Sequence, residues 1–415
     1  MKKYSNVRGT SDFNPAETLV FNEVCDKARA IFKIFGYQEI ILPYLEEKEV
    51  FIKGVGEFTD IVERQIFKIE GKDIILRPEG TAQVIRYFLQ NSLYKQSDFH
   101  KLFYIGPMFR GERPQKGRLR QFHHLGAEAI GSDSFYLDAE VIILSLRILE
   151  ALGVKEKELK INSLGCANDK EKFSQYLQKA LKANKENLCD LCKKRIDKNP
   201  LRVLDCKLEQ CRKVINSLNL EKESLCPSCL AQFKDLLSLL DDLGVQYSYS
   251  PYMVRGLDYY TNTVFEISSS KLGSKDAIGA GGRYNNLVRF LGGPATPATG
   301  FALGIERILI ALGEPTKRSG LDIFVAVASK SLLEEGFKIL DSLRNADVSC
   351  DYDFCEKSLK AQLRVAQKKG AGFVVIIGEE EVKKGIVLLK DMQGATQVEV
   401  KKEDLIREIA KTTSM

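Results

Sequence analysis

FRGERPQKGRLRQFHHLGAE, residues 109–128, crowds Arg110, Arg113, Lys116, Arg118 and Arg120 into a stretch broken by Pro114 and Gly117. An apolar run, Leu102-Phe-Tyr-Ile105, leads into it, and Leu125-Gly-Ala-Glu-Ala-Ile130 follows. Two strand-like runs around a basic loop punctuated by proline and glycine predict an antiparallel hairpin with a long cationic tip. A charge run alone favours a solvated basic loop, and placement is what shifts the reading. Arg110 falls at the end of the first run, where a rigid strand would hold its planar fork for bidentate capture of a phosphate. Two of the chain's three histidines, His123 and His124, close the basic stretch. Beyond them Glu128 lies inside the second apolar run, where an unpaired carboxylate is costly to bury. A carboxylate held inside a cleft can recognise an N–H donor.

The stretch resembles motif 2 of the class II aminoacyl-tRNA synthetases, in the form carried by the histidyl-tRNA synthetases. Three others point the same way: LRPEGTA at 76–82, RGLDYY at 255–260 and GFALGIER at 300–307. RGLDYY is the most specific of the set. The resemblance spans nearly the whole chain, from VRGTSD at 7–12 to the C-terminal segment. It implies an α+β catalytic domain with an antiparallel sheet, a helical insertion and a C-terminal α/β anticodon-binding domain. The expected limits are 1–164 and 246–314 for the catalytic domain, 165–245 for the insertion and 321–415 for the last domain.

The implied activity is ATP-dependent conversion of L-histidine to histidyl-adenylate, then transfer of histidine to the 3′ end of tRNA(His), with Mg²⁺ accompanying ATP. Arg110, Arg255 and Arg307 are the implied catalytic residues. Glu79, Gly80, Thr81, His124, Glu128, Arg255, Tyr259, Tyr260 and Tyr284 are assigned to histidine. Arg110, Glu112, Arg113, Arg118, Gln121, Phe122 and Arg307 are assigned to ATP. No metal ligand is assigned at the reaction centre. One residue departs from the family: His124 stands where glutamine commonly follows the motif 2 histidine, which opens a route to altered pH dependence. Two other readings compete. A non-catalytic, histidine-sensing regulatory paralogue usually lacks the C-terminal domain and part of the arginine set, and this chain keeps both. A class II synthetase for another amino acid is opposed by RGLDYY.

Size and composition fit this reading. A chain of 415 residues has room for two to three domains. The net charge of +6 permits nucleic-acid binding without requiring it. No apolar run approaches the roughly 20 residues needed to span a bilayer, and the start lacks a secretory core. A cytoplasmic protein with reduced thiols is expected.

Along the chain, Pro15 opens a helix with Val20, Val24, Ala28, Ile31 and Phe35 at helical spacing, stopped by Gly36. A strand is expected over 37–43; helix, strand and proline in this order resemble motif 1, which implies a homodimer. Residues 66–69 and 73–76 read as a hairpin. After them Thr81 either caps the following helix, with Glu79 adding charge at its start, or joins Glu79 in holding a substrate ammonium. Residues 137–152 read as a helix and 159–164 as a strand.

The segment 165–244 is lysine-rich, helical in pattern, and holds seven of the ten cysteines. Cys189, Cys192, Cys206, Cys211, Cys226 and Cys229 have zinc-site spacing, with partly buried thiols as the plain alternative. Arg255 could pair with Asp258, and Arg307 with Glu306. The run 278–284 reads as a glycine-rich turn on its residues alone, and the resemblance implies that it is the glycine-rich strand and loop flooring the histidine and adenylate site; 301–312 reads as strand into helix, and 314–320 as a polar linker. From 322 onward strands and helices alternate, which predicts a βαβ domain. From Leu321 that segment carries 15 Lys+Arg against 16 Asp+Glu, so RNA recognition there would rest on local patches and stacked bases.

Overall fold

The computed structural model describes residues 4–57, 59–218, 225–273, 277–313, 320–394 and 396–413. The expected linker, apart from Gly320, lies outside them. Two compact units emerge, one of residues up to Phe13 with Val20–Glu314, the other of Asn14–Leu19 with Pro315–Met415.

The first unit is built on an eight-stranded sheet. Its strand order is Gln38–Glu39, His100–Phe109, Gln121–Ile130, Ala298–Gly304, Ala277–Arg283, Thr261–Ser268, Glu158–Ser163 and Ser248–Tyr249. Neighbours among the six long strands run antiparallel, and the two short edge strands pair in parallel. The expected hairpin is the pair His100–Phe109 and Gln121–Ile130, in register from His100 opposite Ile130 to Phe109 opposite Gln121.

Side chains alternate across a strand, so one strand serves two faces. Leu125, Ala127 and Ala129 point into a core shared with Phe265, Ile267, Phe301 and Leu303. Helices Phe135–Ala151 and Pro227–Asp242 close that core with Leu144, Ile148, Phe233, Leu236 and Leu240. Thus the last helix of the stretch read as the insertion packs with the sheet. The opposite face meets helices Lys48–Val55 and Thr81–Gln90 through Phe51, Val55, Val84, Ile85 and Phe88.

The other insertion helices, Ala167–Ala183, Asp190–Lys198 and Glu209–Ser217, enclose a small core of their own. Polar contacts tie that core to the sheet. Asp60 accepts from Arg195 and Arg202 at 2.7 Å each, and Asn199 donates to Asp258 at 2.8 Å. Lys170 Nζ reaches the carbonyls of Asp258 (2.5 Å) and Tyr260 (2.9 Å).

Two expected elements come out differently. The strand over 37–43 shrinks to Gln38–Glu39. Beyond it the carbonyls are taken by side chains: Arg77 Nη1 donates to Leu42 O at 3.0 Å and Gln83 Nε2 to Pro43 O at 2.7 Å. The glycine-rich run 278–284 is the interior strand Ala277–Arg283, as the resemblance implied, and not the turn that its residues alone suggested. Its glycines answer close approach: a Cβ at Gly281 would lie 2.3 Å from Gly300 O, and one at Gly279 2.5 Å from Ala302 O.

The second unit is a five-stranded sheet in the order Cys350–Tyr352, Ile323–Val327, Phe373–Ile377, Ile386–Asp391, Gln397–Lys401. The first three strands are parallel and the last two antiparallel to their neighbours. Helices Leu333–Asn345, Leu359–Lys368 and Leu405–Thr413 follow the expected alternation. The edge strand Gln397–Lys401 and the short helix Glu379–Lys383 were not anticipated; only Val400 of that strand is buried, so its pattern is faint.

Candidate active site

On the face of the large sheet that carries Glu128, register lines up small residues. One row runs Gly126, Ala302, Ala280, Glu266; the next runs Glu128, Gly300, Gly282, Val264. Two nearly side-chain-free strands therefore separate Gln121–Ile130 from Thr261–Ser268. Three strand intervals span about 14 Å, a floor broad enough for a nucleotide joined to an amino acid. Phe122, His124 and Glu128 stand along one side of it, Glu266 along the other.

At one end a polar cluster is buried. Glu128 is fully buried and takes a hydrogen bond from Thr81 Oγ1 at 2.7 Å and another from the Tyr284 hydroxyl. Gly300 makes this possible, since a Cβ there would lie 1.9 Å from Glu128 Oε2. Burial pushes the Glu128 carboxyl up to about 8, against the donors from Tyr284 and Thr81. Tyr259 packs on Tyr260 and Tyr284 at ring-centroid distances of 4.7 and 5.4 Å. The Tyr104 ring is clamped between Gly80 and Gly126, where a Cβ on either would come within 2.2 Å of it. Its buried hydroxyl has no hydrogen-bond partner among the described residues.

Glu79 settles the local question at the helix start. Its carboxylate accepts from the N–H groups of Thr81 (2.7 Å) and Ala82 (2.9 Å), so Glu79, one residue before the N-cap Gly80, satisfies the first free helix N–H groups, and Thr81 is the first helical residue. A carboxylate offers about four acceptor positions, so a substrate ammonium can still be met there. Burial raises the Glu79 carboxyl, and the two N–H donors oppose it.

The basic residues form the other end. Arg110 continues the hairpin ladder, its N–H bonded to Arg120 O at 2.8 Å. Its Nε donates to Pro78 O at 2.8 Å and its guanidinium stacks over Phe122 at 5.3 Å. Arg118 pairs with Glu112 at 2.9 Å. Arg307, on helix Ile305–Leu312, donates to Gly117 O at 2.8 Å and to Ala277 O. Burial, then the charges of Arg118 and Arg110, bring Arg307 down to about 10, so the three cations crowd one region.

Arg255 is joined to this region through Glu266, which pairs with it and also acts on Arg307. The buried Arg255 Nε has no hydrogen-bond partner among the described residues. His124 lies beside Phe122 at 5.1 Å, and its buried Nδ1 likewise has none among them. Burial, reinforced by Arg110 and Arg307, holds its imidazole well below the ordinary range, hence neutral near pH 7.

Not every assigned residue arrives here. Arg113 and Gln121 are exposed. Neither simple pairing forms: Arg255 takes Glu266 rather than Asp258, and Glu306 accepts from the His123 N–H and from His123 Nδ1 at 2.8 Å. The altered pH dependence expected of His124 meets an environment that keeps it uncharged. Tyr104 escaped the sequence reading because a tyrosine inside an apolar run looks like core. The signal was its register opposite Gly126.

Comparison with known proteins places this geometry. The family model for histidyl-tRNA synthetases matches residues 9–308, and that for an anticodon binding domain matches residues 322–412. The histidine–tRNA ligase of Halothermothrix orenii is 43% identical over 412 residues, covering 97% of this chain and 98% of its own. That of Pelotomaculum thermopropionicum is 44% identical over 408 residues, 96% of each. The crystal structure of apo histidyl-tRNA synthetase from S. aureus matches with a TM-score of 0.81 at 29% identity, over 98% of this chain and 100% of that one. With full-length relatives above 40% identity and a fold shared throughout, the chain belongs to the histidyl-tRNA synthetase family.

Proposed function

We propose that the protein activates L-histidine with ATP to histidyl-adenylate and transfers the histidyl group to the 3′ end of tRNA(His). The observation that carries this reading is one floor with a buried carboxyl–hydroxyl cluster at one end and clustered guanidiniums at the other. Histidine would lie at the Glu128 end. Glu128 accepts its ring N–H, Tyr260 and Tyr284 enclose the ring, and Glu79 with Thr81 meets the ammonium. A pocket whose polar groups are left unpaired by any other side chain selects strongly.

ATP would bring Mg²⁺ with it, and the ion would supply positive charge to the phosphates beside Arg118 and Arg307. The histidine carboxylate attacks the α-phosphorus, the bond to the bridging oxygen of pyrophosphate breaks, and pyrophosphate departs. Charge builds on the phosphorus oxygens, so positioning and electrostatic stabilisation do most of the catalysis. Arg110 and Arg255 hold the α-phosphoryl; Arg118 and Arg307 steer the nucleotide and pyrophosphate. Phe122, already stacked with Arg110, offers an apolar face to the base. A terminal ribose hydroxyl of the tRNA then attacks the histidyl carbonyl, and AMP leaves. No nucleophilic cysteine or serine enters.

Residues 1–164 and 246–314 would form the catalytic domain, 165–245 the insertion and 321–415 the anticodon-binding domain. A homodimer is supported by Ile34, Ile41, Tyr44 and Leu45, which are 75%, 94%, 52% and 50% exposed along the segment that resembles motif 1. No helix among the described residues is long and apolar enough to cross a membrane, in keeping with a cytoplasmic place of work. Histidine-dependent exchange of pyrophosphate into ATP, followed by charging of tRNA(His), tests the assignment. Exchange that does not depend on histidine would overturn it.

A further inference from the structure

The insertion cysteines, six of which have zinc-site spacing, fall into two clusters. Cys189, Cys192, Cys206 and Cys211 place their four Sγ atoms within 4.8 Å of one another. Cys226 and Cys229 stand apart from them and instead meet Cys166 and Asp169, again with one ligand atom from each inside 4.8 Å. Tetrahedral zinc with Zn–S bonds of about 2.3 Å needs its sulfurs about 3.8 Å apart, a spacing that the 4.8 Å limit of both groups accommodates.

Each cluster is built by helix starts. Cys166 and Asp169 are the N-cap and third residue of Ala167–Ala183, and Cys226 and Cys229 hold the same positions on Pro227–Asp242. Cys189 and Cys192 repeat the arrangement on Asp190–Lys198, and Cys211 is the third residue of Glu209–Ser217. The positive end of a helix favours the thiolate, the form that binds metal. Backbone donors are already aimed at the ligand atoms: Cys189 N–H reaches Cys211 Sγ at 3.2 Å, and Cys226 N–H reaches Asp169 Oδ2 at 3.1 Å. Gly165, at φ +68°, leaves room for Asp169, since a Cβ there would lie 2.6 Å from Oδ2.

We propose that the chain holds two structural zinc ions, one on the thiolates of Cys189, Cys192, Cys206 and Cys211, the other on the thiolates of Cys166, Cys226 and Cys229 with the Asp169 carboxylate. Disulfides account for this arrangement poorly. All seven thiols are free, and a carboxylate among three thiols serves a cation but does nothing for an S–S bond. Binding releases the thiol protons, four at the first site and three at the second. The first ion cross-links an insertion with a small core. The second joins the helix start at Cys166 to Pro227–Asp242, beside Asn262, whose Nδ2 lies 3.6 Å from Cys229 Sγ.

Elemental analysis of the full chain, purified under reducing conditions, is expected to find two zinc per chain. The Cys189→Ser/Cys192→Ser and Cys226→Ser/Cys229→Ser double variants are each expected to keep one, and Asp169→Ala to weaken only the second. Because such variants can fail to fold, the wild-type protein supplies a second measurement: alkylation followed by mass spectrometry. Cys166, Cys189, Cys206 and Cys226 are only half-buried, so a bound ion must be what protects them. They should resist alkylation until a chelator is added, while exposed Cys355 reacts at once. Iron in place of zinc, less than half an equivalent of zinc, equal alkylation with and without chelator, or paired loss of protons marking disulfides would each overturn the proposal.

Discussion

Glu128→Gln separates recognition from folding. The carboxyl is fully buried, held by Thr81 and Tyr284, and burial sets it at about 8, so near pH 7 without substrate it is largely neutral. Glutamine matches that neutral form in size and keeps one acceptor, so the fold should lose little, about 1 kcal/mol for one re-aimed hydrogen bond. What disappears is the carboxylate that meets the substrate's ring N–H. A charge-assisted hydrogen bond contributes about 1.5–3 kcal/mol, or roughly 10- to 150-fold in kcat/KM for histidine. Pyrophosphate exchange at varied histidine, with the KM for ATP as internal control and melting temperature as a check on folding, measures it.

The pH dependence carries a sign. Unfolded, the group titrates near 4.5; folded, near 8. The native state therefore binds the extra proton, and wild-type stability is lost as pH rises between those values, by up to a few kcal/mol. E128Q should flatten that slope. A histidine KM within about threefold of wild type, in a variant that folds and binds ATP normally, would refute the assignment of Glu128.

Three further outcomes are expected. Gly300→Ala drives a methyl into Glu128 Oε2 and Ala127 O, at 1.9 and 2.4 Å; it should cost roughly 1–3 kcal/mol and remove histidine activation, read by melting temperature and exchange. Arg255→Lys keeps the charge but loses the planar guanidinium whose Nη1 pairs with Glu266, and kcat of exchange should fall on the order of 100-fold; an unchanged kcat would take Arg255 out of the reaction. His124→Gln should change activity by the same factor at pH 6 and pH 8, because burial and its cationic neighbours keep the native imidazole neutral across that window. The same shift makes His124 a source of acid instability, since the unfolded ring gains a proton below about 6.5; a ratio that drifts several-fold would show that His124 titrates.

The large hairpin, the helix after Thr81 and the βαβ alternation were legible because hydrophobic period and turn residues act locally. The run 278–284 misled for a local reason: glycines mark turns and close strand contact alike, and only the registry with Gly300 and Ala302 tells which. Residues 37–43 looked like a strand because nothing in that segment reveals that Arg77 and Gln83, far along the chain, would claim its carbonyls. At the site, Arg110, Glu128 and Arg307 could be nominated from motif and placement. Their coupling could not, because Glu266 and Tyr104 enter it only through strand pairing. The cysteine spacing suggested a metal without saying which pairs meet; Cys166 and Asp169 enter only in three dimensions, and Asp169 carries no signal outside them.

The bare floor has a consequence for how this enzyme can change. The Glu128 face divides its duty: Phe51, Val84 and Phe88 pack over Leu102, Tyr104 and Val264, while the strip of Gly126, Gly300, Ala302 and Ala280 stays bare; the opposite face buries Phe265 and Leu303 against Leu144 and Ile148. Lesions on the bare strip and in the reverse core should therefore fail differently, as inactive but intact protein at one and as lost protein at the other. Heat tolerance can be gained by repacking the reverse face while Gly126, Gly300, Ala302 and Ala280 stay as they are, which leaves thermal adaptation and substrate choice free to drift independently.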